Sequence, residues 1–311
     1  MKRTNTLLVT TLLAVAFIIT SCQKDPYEGV QSNEKSIEAV SLGTGLVQIG
    51  PAVVNRLEGK VSVKVLMQAG TDLTKVSPLI QSSYKAQISP ASGATVNFAA
   101  TNNKSTYTIT SESGETRTWT VELIPFTETI LGNYDVKALV VYGGTGPEYG
   151  GGAVLNMTDK PWNWAAVGGP AAELDNKLSF TFEGVSADGK TFGKVTNNAG
   201  TDGKYADFVY ILNPVTDVNN FYRKIPKIEG KWERDYTANT VTFTFADGSK
   251  TTAAFRGAET LDFGNGQKKT ITDNSFDFTL NGTDDWGKIY SDYDKFVKKP
   301  RRLFVDIKKT N

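Results

Sequence analysis

Over residues 61–67 apolar side chains recur at every second position, with Val61, Val63, Val65 and Met67 alternating against Ser62, Lys64 and Leu66. A period of two buries one face and leaves the other near water, so the segment predicts a β-strand. Leu178, Phe180 and Phe182 repeat the pattern against Ser179, Thr181 and Glu183, and Val241, Phe243 and Phe245 repeat it against threonines. Asp188-Gly189 and Asp247-Gly248 are the strongest hairpin signals, because glycine accepts the positive φ that tight turns need. Further strands are predicted over 134–142, 275–280 and 302–308, with a short helical turn over 292–299 before Pro300. No stretch holds a 3.6-residue period for three turns, so the chain is expected to be all-β.

The rhythm divides the chain in two. Residues 35–126 carry about seven short strands, the size and spacing of an immunoglobulin-like sandwich. Trp119 is in phase with Val121 and Leu123, which places it in that core. Residues 127–311 carry roughly eight to ten more strands, expected to form a larger jelly-roll-like β-sandwich; a closed lipocalin-like barrel is the alternative, since one strand set can wrap either way.

The first 21 residues read differently. Lys2 and Arg3 precede an apolar run over 7–19, then Thr20-Ser21-Cys22. The run is well short of the ~20 residues a membrane-spanning helix needs, and the order basic, apolar, small describes a secretory signal peptide. Ile19-Thr20-Ser21-Cys22 resembles the bacterial lipobox, which implies cleavage before Cys22 and lipid on its sulfur. Cys22 is the single cysteine of the chain, so no internal disulfide competes for it. Residues 22–34 are then a lipidated tether. Its start, Gln23-Lys24-Asp25-Pro26-Tyr27-Glu28, resembles the export signals of Bacteroidetes-type lipoproteins. That resemblance implies an outer-membrane protein facing the cell surface, with a periplasm-facing anchor as the other possibility.

A second resemblance rests on Glu58-Gly59-Lys60-Val61, Gly70-Thr71-Asp72-Leu73-Thr74, Ile88-Ser89-Pro90-Ala91-Ser92-Gly93, Tyr107-Thr108-Ile109-Thr110 and 114–121. These segments are similar to the Ig-like N-terminal domains of Bacteroidetes-type surface lipoproteins, a family of largely uncharacterised function. It covers about a third of the chain and matches strand and turn residues, not chemistry. What it implies is a spacer or platform.

Composition narrows the chemistry. Lys and Arg number 34 against 33 Asp and Glu, without the basic excess of a nucleic-acid binder. Histidine is absent, which removes the commonest general base, the Ser-His-Asp triad and most zinc sites. An enzyme here would have to work with carboxylates, as glycosidases do. The acids around Trp232 (Glu229, Glu233 and Asp235) match no glycosidase motif, so no catalytic residue is assigned.

The most distinctive stretch joins Tyr142-Gly143-Gly144-Thr145-Gly146-Pro147-Glu148-Tyr149-Gly150-Gly151-Gly152 to Lys160-Pro161-Trp162-Asn163-Trp164. On a strand Trp162 and Trp164 would share one face and make a platform for sugar rings, with Glu148, Asn163 and Asp159 meeting hydroxyls. A mobile glycine loop beside structural tryptophans is the plainer expectation. Trp286, with Tyr290 nearby, adds to the platform if its loop lies beside this one, and Tyr149 is a further stacking candidate. The acids Asp284, Asp285, Asp292 and Asp294 lack EF-hand spacing; calcium is the sole cofactor considered, and no metal ligand is assigned. The expectation is therefore a surface lipoprotein that binds polysaccharide or oligosaccharide through Trp162, Trp164, Tyr149, Trp286, Glu148 and Asn163. Its alternatives are a structural or adhesion protein meeting protein partners, and a carboxylate glycosidase.

Overall fold

The computed structural model describes residues 29–310 apart from 44, 68 and 69. The signal segment, Cys22 and the tether up to residue 28 lie outside the described residues.

The alternating segments of the first domain become β1 (Ile37–Leu42), β2 (Val53–Asn55), β3 (Lys60–Leu66), β4 (Pro78–Ser82), β5 (Gln87–Ser89), β6 (Lys104–Thr110) and β7 (Thr116–Phe126). Five of them form a sheet in the order β2-β3-β7-β6-β5, with β3 and β7 parallel, and β1 pairs with β4. Val61, Val63 and Val65 meet Tyr107, Ile109, Trp119 and Val121 from the same sheet and Ile37, Val40 and Ile80 from the β1–β4 pair. Trp119 is fully buried, and its indole N–H donates to the Lys35 carbonyl at 3.0 Å. That bond lets a large ring enter the core without leaving its one polar atom unpaired.

The second domain contains β8 (Gly132–Gly143), β9 (Ala153–Asn156), β10 (Lys177–Val185), β11 (Thr191–Asn198), β12 (Val209–Tyr210), β13 (Thr216–Asp217) and β14 (Ile228–Asp235). It continues with β15 (Thr240–Thr244), β16 (Lys250–Arg256), β17 (Glu259–Asp262), β18 (Lys268–Ile271), β19 (Asn274–Thr279) and β20 (Pro300–Thr310). β8 pairs with both β10 and β20, which closes β8-β10-β11-β14-β15-β16-β19-β20 into an eight-stranded antiparallel barrel. The chain is thus all-β, as the alternation predicts; the closing pair β8–β10 is the feature that bears on the choice between jelly roll and barrel.

The barrel is full. Tyr134, Phe180, Trp232, Phe243, Phe276 and Phe278 are buried in one cluster with Val195, Leu303 and Ile307. Tyr134 and Val136 point inward on even positions of β8, then Leu139 and Val141 on odd ones. The parity changes where the β8–β20 register shifts between Asp306 and Ile307, because a bulge turns every later side chain over. Outward-facing Tyr142 and Phe304 are covered by the β17–β18 hairpin, whose Phe263 stacks on Tyr142 at 4.2 Å.

One end of the barrel meets the first domain. Phe126 at the end of β7 packs edge-on against Tyr236 at 4.7 Å. The buried Glu128 carboxylate accepts hydrogen bonds from the Tyr236 hydroxyl (2.6 Å), the Ile130 amide (3.1 Å) and the Thr191 hydroxyl. Gly50 and Gly189 meet backbone to backbone: a Cβ on Gly189 would lie 2.6 Å from the Gly50 Cα. The Arg234 guanidinium sits between the Tyr236 and Phe255 rings at 4.4 and 4.6 Å and covers this end. β8 runs from this junction to the other rim, about 40 Å at ~3.4 Å per residue.

Candidate functional site

At that far rim β8 runs into the glycine-rich loop. A Cβ on Gly143 would lie 2.2 Å from the Lys295 carbonyl oxygen, one on Gly144 2.1 Å from that of Gly151, and one on Gly151 1.9 Å from that of Thr145. The glycines are needed because the chain approaches itself this closely. The loop is also bonded from several sides. Thr145 is buried, and its amide and hydroxyl donate to the buried Asp294 carboxylate at 2.7 and 2.8 Å. The Asp285 amide donates to the Thr145 hydroxyl oxygen (2.8 Å), Arg301 Nε to the Gly144 carbonyl (2.8 Å) and Asn265 Nδ2, at the tip of the β17–β18 hairpin, to the Pro147 carbonyl (2.6 Å). The mobile loop expected from so many glycines is instead a braced one.

Bracing sets two aromatic residues side by side. The Tyr149 and Trp286 rings are 6.0 Å apart at 60°. Trp286 can come this close because a Cβ on Gly146 would lie 2.8 Å from its indole, so glycine leaves the room. The Tyr290 hydroxyl donates to the Tyr149 carbonyl at 3.4 Å. Tyr149, Trp286 and Tyr290 remain 66, 58 and 68 % exposed, and Glu148 is exposed beside them. Single exposed aromatics are ordinary on a surface; a joined group on fixed backbone is a presented apolar face.

Trp162 and Trp164 do not share a face. Pro161–Asn163 is a 3-10 turn, so two residues apart no longer means the same side. Trp162 is 55 % exposed with the Lys160 ammonium 5.2 Å from its ring centre. Trp164 is 3 % exposed and packs edge-on against Tyr210, Tyr222 and Phe296. Asn163 is fully buried, its Nδ2 donating to Asp292 at 3.1 Å. Lys160 also reaches Asp292 at 3.4 Å, so the Trp162 turn and the 290–294 segment are tied through one carboxylate.

Between residues 210–213 and 287–293 lies an open groove of about 520 Å³, lined by Tyr210, Leu212, Lys288, Tyr290 and Tyr293. The Lys288 ammonium lies 4.1 Å from the Tyr293 ring centre. Burial raises the Tyr210 hydroxyl above the usual phenol range, helped by the negative charge of Asp292 and by Tyr293. It therefore stays protonated and able to donate. Tyr210 and Leu212 were not legible as site residues, because their segment lies far from 287–293 in sequence and carries no local motif. The loop acids serve their own chain: Asp284 faces Lys299 at 3.0 Å, Asp292 faces Lys160, and Asp294 holds Thr145. Among the described residues no group of three acidic, His or Cys side chains is placed to hold a metal ion.

Residues 46–123, within the first domain, match the family model described as SGBP, N-terminal. Comparison with curated proteins gives no significant match. Among solved structures, one described as a "putative glycoside hydrolase" from Bacteroides thetaiotaomicron aligns over 90 % of this chain and 98 % of its own, at 13 % identity and a TM-score of 0.29. A "putative secreted protein" from Bacteroides fragilis aligns over 30 % of this chain and 95 % of its own, at 13 % identity and a TM-score of 0.24. A protein of unknown function from Bacteroides ovatus aligns over 87 % and 93 %, at 9 % identity and a TM-score of 0.17. Scores this low transfer no function.

Proposed function

We propose that this chain is a cell-surface lipoprotein, anchored through Cys22, that captures polysaccharide on the far rim of its barrel. The observation that carries the reading is the exposed, joined set Tyr149, Trp286 and Tyr290 held on braced backbone. Sugar rings offer apolar faces that lie on such rings, and side chains already fixed lose little entropy on binding. The match of the first domain to the N-terminal domain of the surface glycan-binding protein family supports the same reading. The location of the rim supports it too, because the first domain joins the opposite end. We read the ring of strands as the lipocalin-like alternative, since neighbours in the ring are successive in sequence apart from the added β9, β12, β13, β17 and β18. Its interior is packed with side chains, which leaves the rim and outer surface for a ligand.

The test is a titration of the mature chain against a polysaccharide panel, read by tryptophan fluorescence and by mobility in glycan-containing gels. Losing contact with roughly 60 Å² of indole at about 25 cal/mol/Å² costs about 1.5 kcal/mol. Trp286→Ala is therefore expected to weaken binding roughly tenfold, and Tyr149→Ala somewhat less. Binding that survives the Tyr149, Trp286 and Tyr290 triple replacement unchanged would place the site elsewhere.

A further inference from the structure

Beside Trp162 lies a second recess, apart from the Tyr149–Trp286 face. It is a cleft of about 280 Å³ whose wall includes Trp164, Ala165, Ala166 and Ala171, with Asp202 and Lys204 also lining it. We propose that this cleft binds one 2-acetamido sugar, a terminal or branching residue of the captured glycan. The proposal rests on the glycan reading above and gives it a ligand class.

Size is the first argument. The volume lies at the lower end of small-molecule sites, the scale of one ring and not of a chain. Shape is the second. The alanines leave room that larger side chains would fill, and the wall they form is apolar. A plain hexose carries a hydroxyl on nearly every carbon and would press one of them on that wall. An acetamido methyl covers it without an unpaired polar atom.

The polar groups point the same way. Trp164 is among the lining residues, while its indole N–H is shut off from solvent and so is not offered to a ligand. The Lys204 ammonium is the donor at this cleft, and an amide carbonyl is a stronger acceptor for it than a hydroxyl. Among the described residues neither Asp202 nor Lys204 forms an ion pair between side chains. One accepts and the other donates, as ring hydroxyls require. Their charges cancel, which favours a neutral sugar over a uronate or a free amino sugar.

The wall is also fixed before any ligand arrives. Trp164 is bridged to Tyr210, and the Asp207 amide donates to the Gly168 carbonyl at 2.6 Å. Trp162 stands next in sequence to two lining residues, Pro161 on one side and Trp164 beyond Asn163 on the other, so a ring in the cleft has an exposed indole near it for its neighbour.

The experiment uses the full mature chain with N-acetylglucosamine, N-acetylgalactosamine, glucose, galactose and glucosamine, followed by saturation-transfer NMR and calorimetry. The acetylated sugars are expected to bind at least about fivefold more tightly than the others, with the strongest transfer at the acetamido methyl. Ala171 is exposed, so Ala171→Phe should block the cleft without altering the melting temperature. Lys204→Ala, a second exposed change, should weaken binding about threefold. Equal affinity for acetylated and plain sugars, or acetyl-sugar binding that survives Ala171→Phe, would overturn the assignment. Polysaccharide binding that persists without an acetyl preference sinks the cleft and leaves the rim reading standing. Acetyl-sugar binding lost in Ala171→Phe, with no polysaccharide bound, supports the cleft and sinks the rim.

Discussion

Replacing Asp294 should release the glycine loop while the barrel stays folded. The carboxylate is buried and accepts two hydrogen bonds from Thr145, at 2.7 Å from the amide and 2.8 Å from the hydroxyl. Hydrogen bonds to a charged acceptor are worth about 1.5–3 kcal/mol each. Asp294→Ala removes both and leaves the Thr145 amide buried without a partner, so local opening should become easier by about 3–5 kcal/mol. Asp294→Asn keeps one acceptor oxygen and should cost about half of that. In native-state hydrogen exchange followed by mass spectrometry, peptides covering 143–152 should exchange roughly 10²- to 10⁴-fold faster in Asp294→Ala. Peptides from β14, β15 and β16 should hardly change. The aromatic rim depends on this loop, so glycan binding should fall with exchange protection even though Asp294 touches no ligand. Unchanged exchange over 143–152 would refute the bracing argument. Equal acceleration across the whole barrel would show instead that Asp294 supports the fold as a unit.

Three further outcomes are expected. Trp162→Ala should leave stability within about 0.5 kcal/mol, whereas Trp164→Ala, which empties a site among Tyr210, Tyr222 and Phe296, should cost about 3–5 kcal/mol in chemical denaturation. Stability should fall at alkaline pH. Burial pushes the Tyr134 and Tyr236 hydroxyls up to about 12, the bond to Glu128 adding to the effect at Tyr236, while an unfolded tyrosine ionises near 10. The unfolded chain then binds fewer protons, so the contribution of these rings is complete below about pH 10 and is lost towards 12. Denaturation midpoints across that window test this, and Tyr134→Phe should flatten the slope by about one proton. Cys22→Ser should move the protein from the detergent phase to the aqueous phase on Triton X-114 partitioning; retention in the detergent phase would exclude the proposed anchor.

Strands were legible because their information is local. Val61, Val63 and Val65 or Val241 and Phe243 need only a period of two, and tertiary packing has no reason to overturn it. Barrel closure is not local: it rests on Leu178 and Phe180 of β10 finding Tyr134 and Gly132 of β8, a register that no single segment encodes. The tryptophan platform failed as a shared face for a related reason. Its phase argument assumed a strand, and Pro161 opens a 3-10 turn, as proline at a first helical position does. Glycine showed the opposite ambiguity. Freedom and close approach both demand it, and contacts such as Gly151 against the Thr145 carbonyl distinguish the two only in three dimensions. Tyr149 and Trp286 were each legible as exposed aromatics, but their pairing depends on Thr145 reaching Asp294.

A packed barrel sets the form that the proposed glycan site would take. With Phe180, Trp232, Phe243 and Phe276 filling the interior, no calyx remains to enclose a ligand, and a flat aromatic rim buries little of each sugar. Enclosure raises affinity by burying area, and a rim can only limit the entropy it loses. The braced loop does this for Tyr149, and Gly146 does it for Trp286 by letting the indole rest on backbone. Even so, at about 1–2 kcal/mol per stacked ring, two or three rings yield a weak single site. Such a site becomes useful when many copies meet one long polymer, because each bound copy raises the effective concentration for the next. Lipid at Cys22 would confine the copies to one membrane plane, and the junction held by Phe126, Glu128 and Gly50 would keep their rims on the side away from it. Release from the membrane should therefore cost far more polysaccharide retention than monomer affinity, which makes avidity on vesicles against affinity in solution the comparison that links anchor to rim.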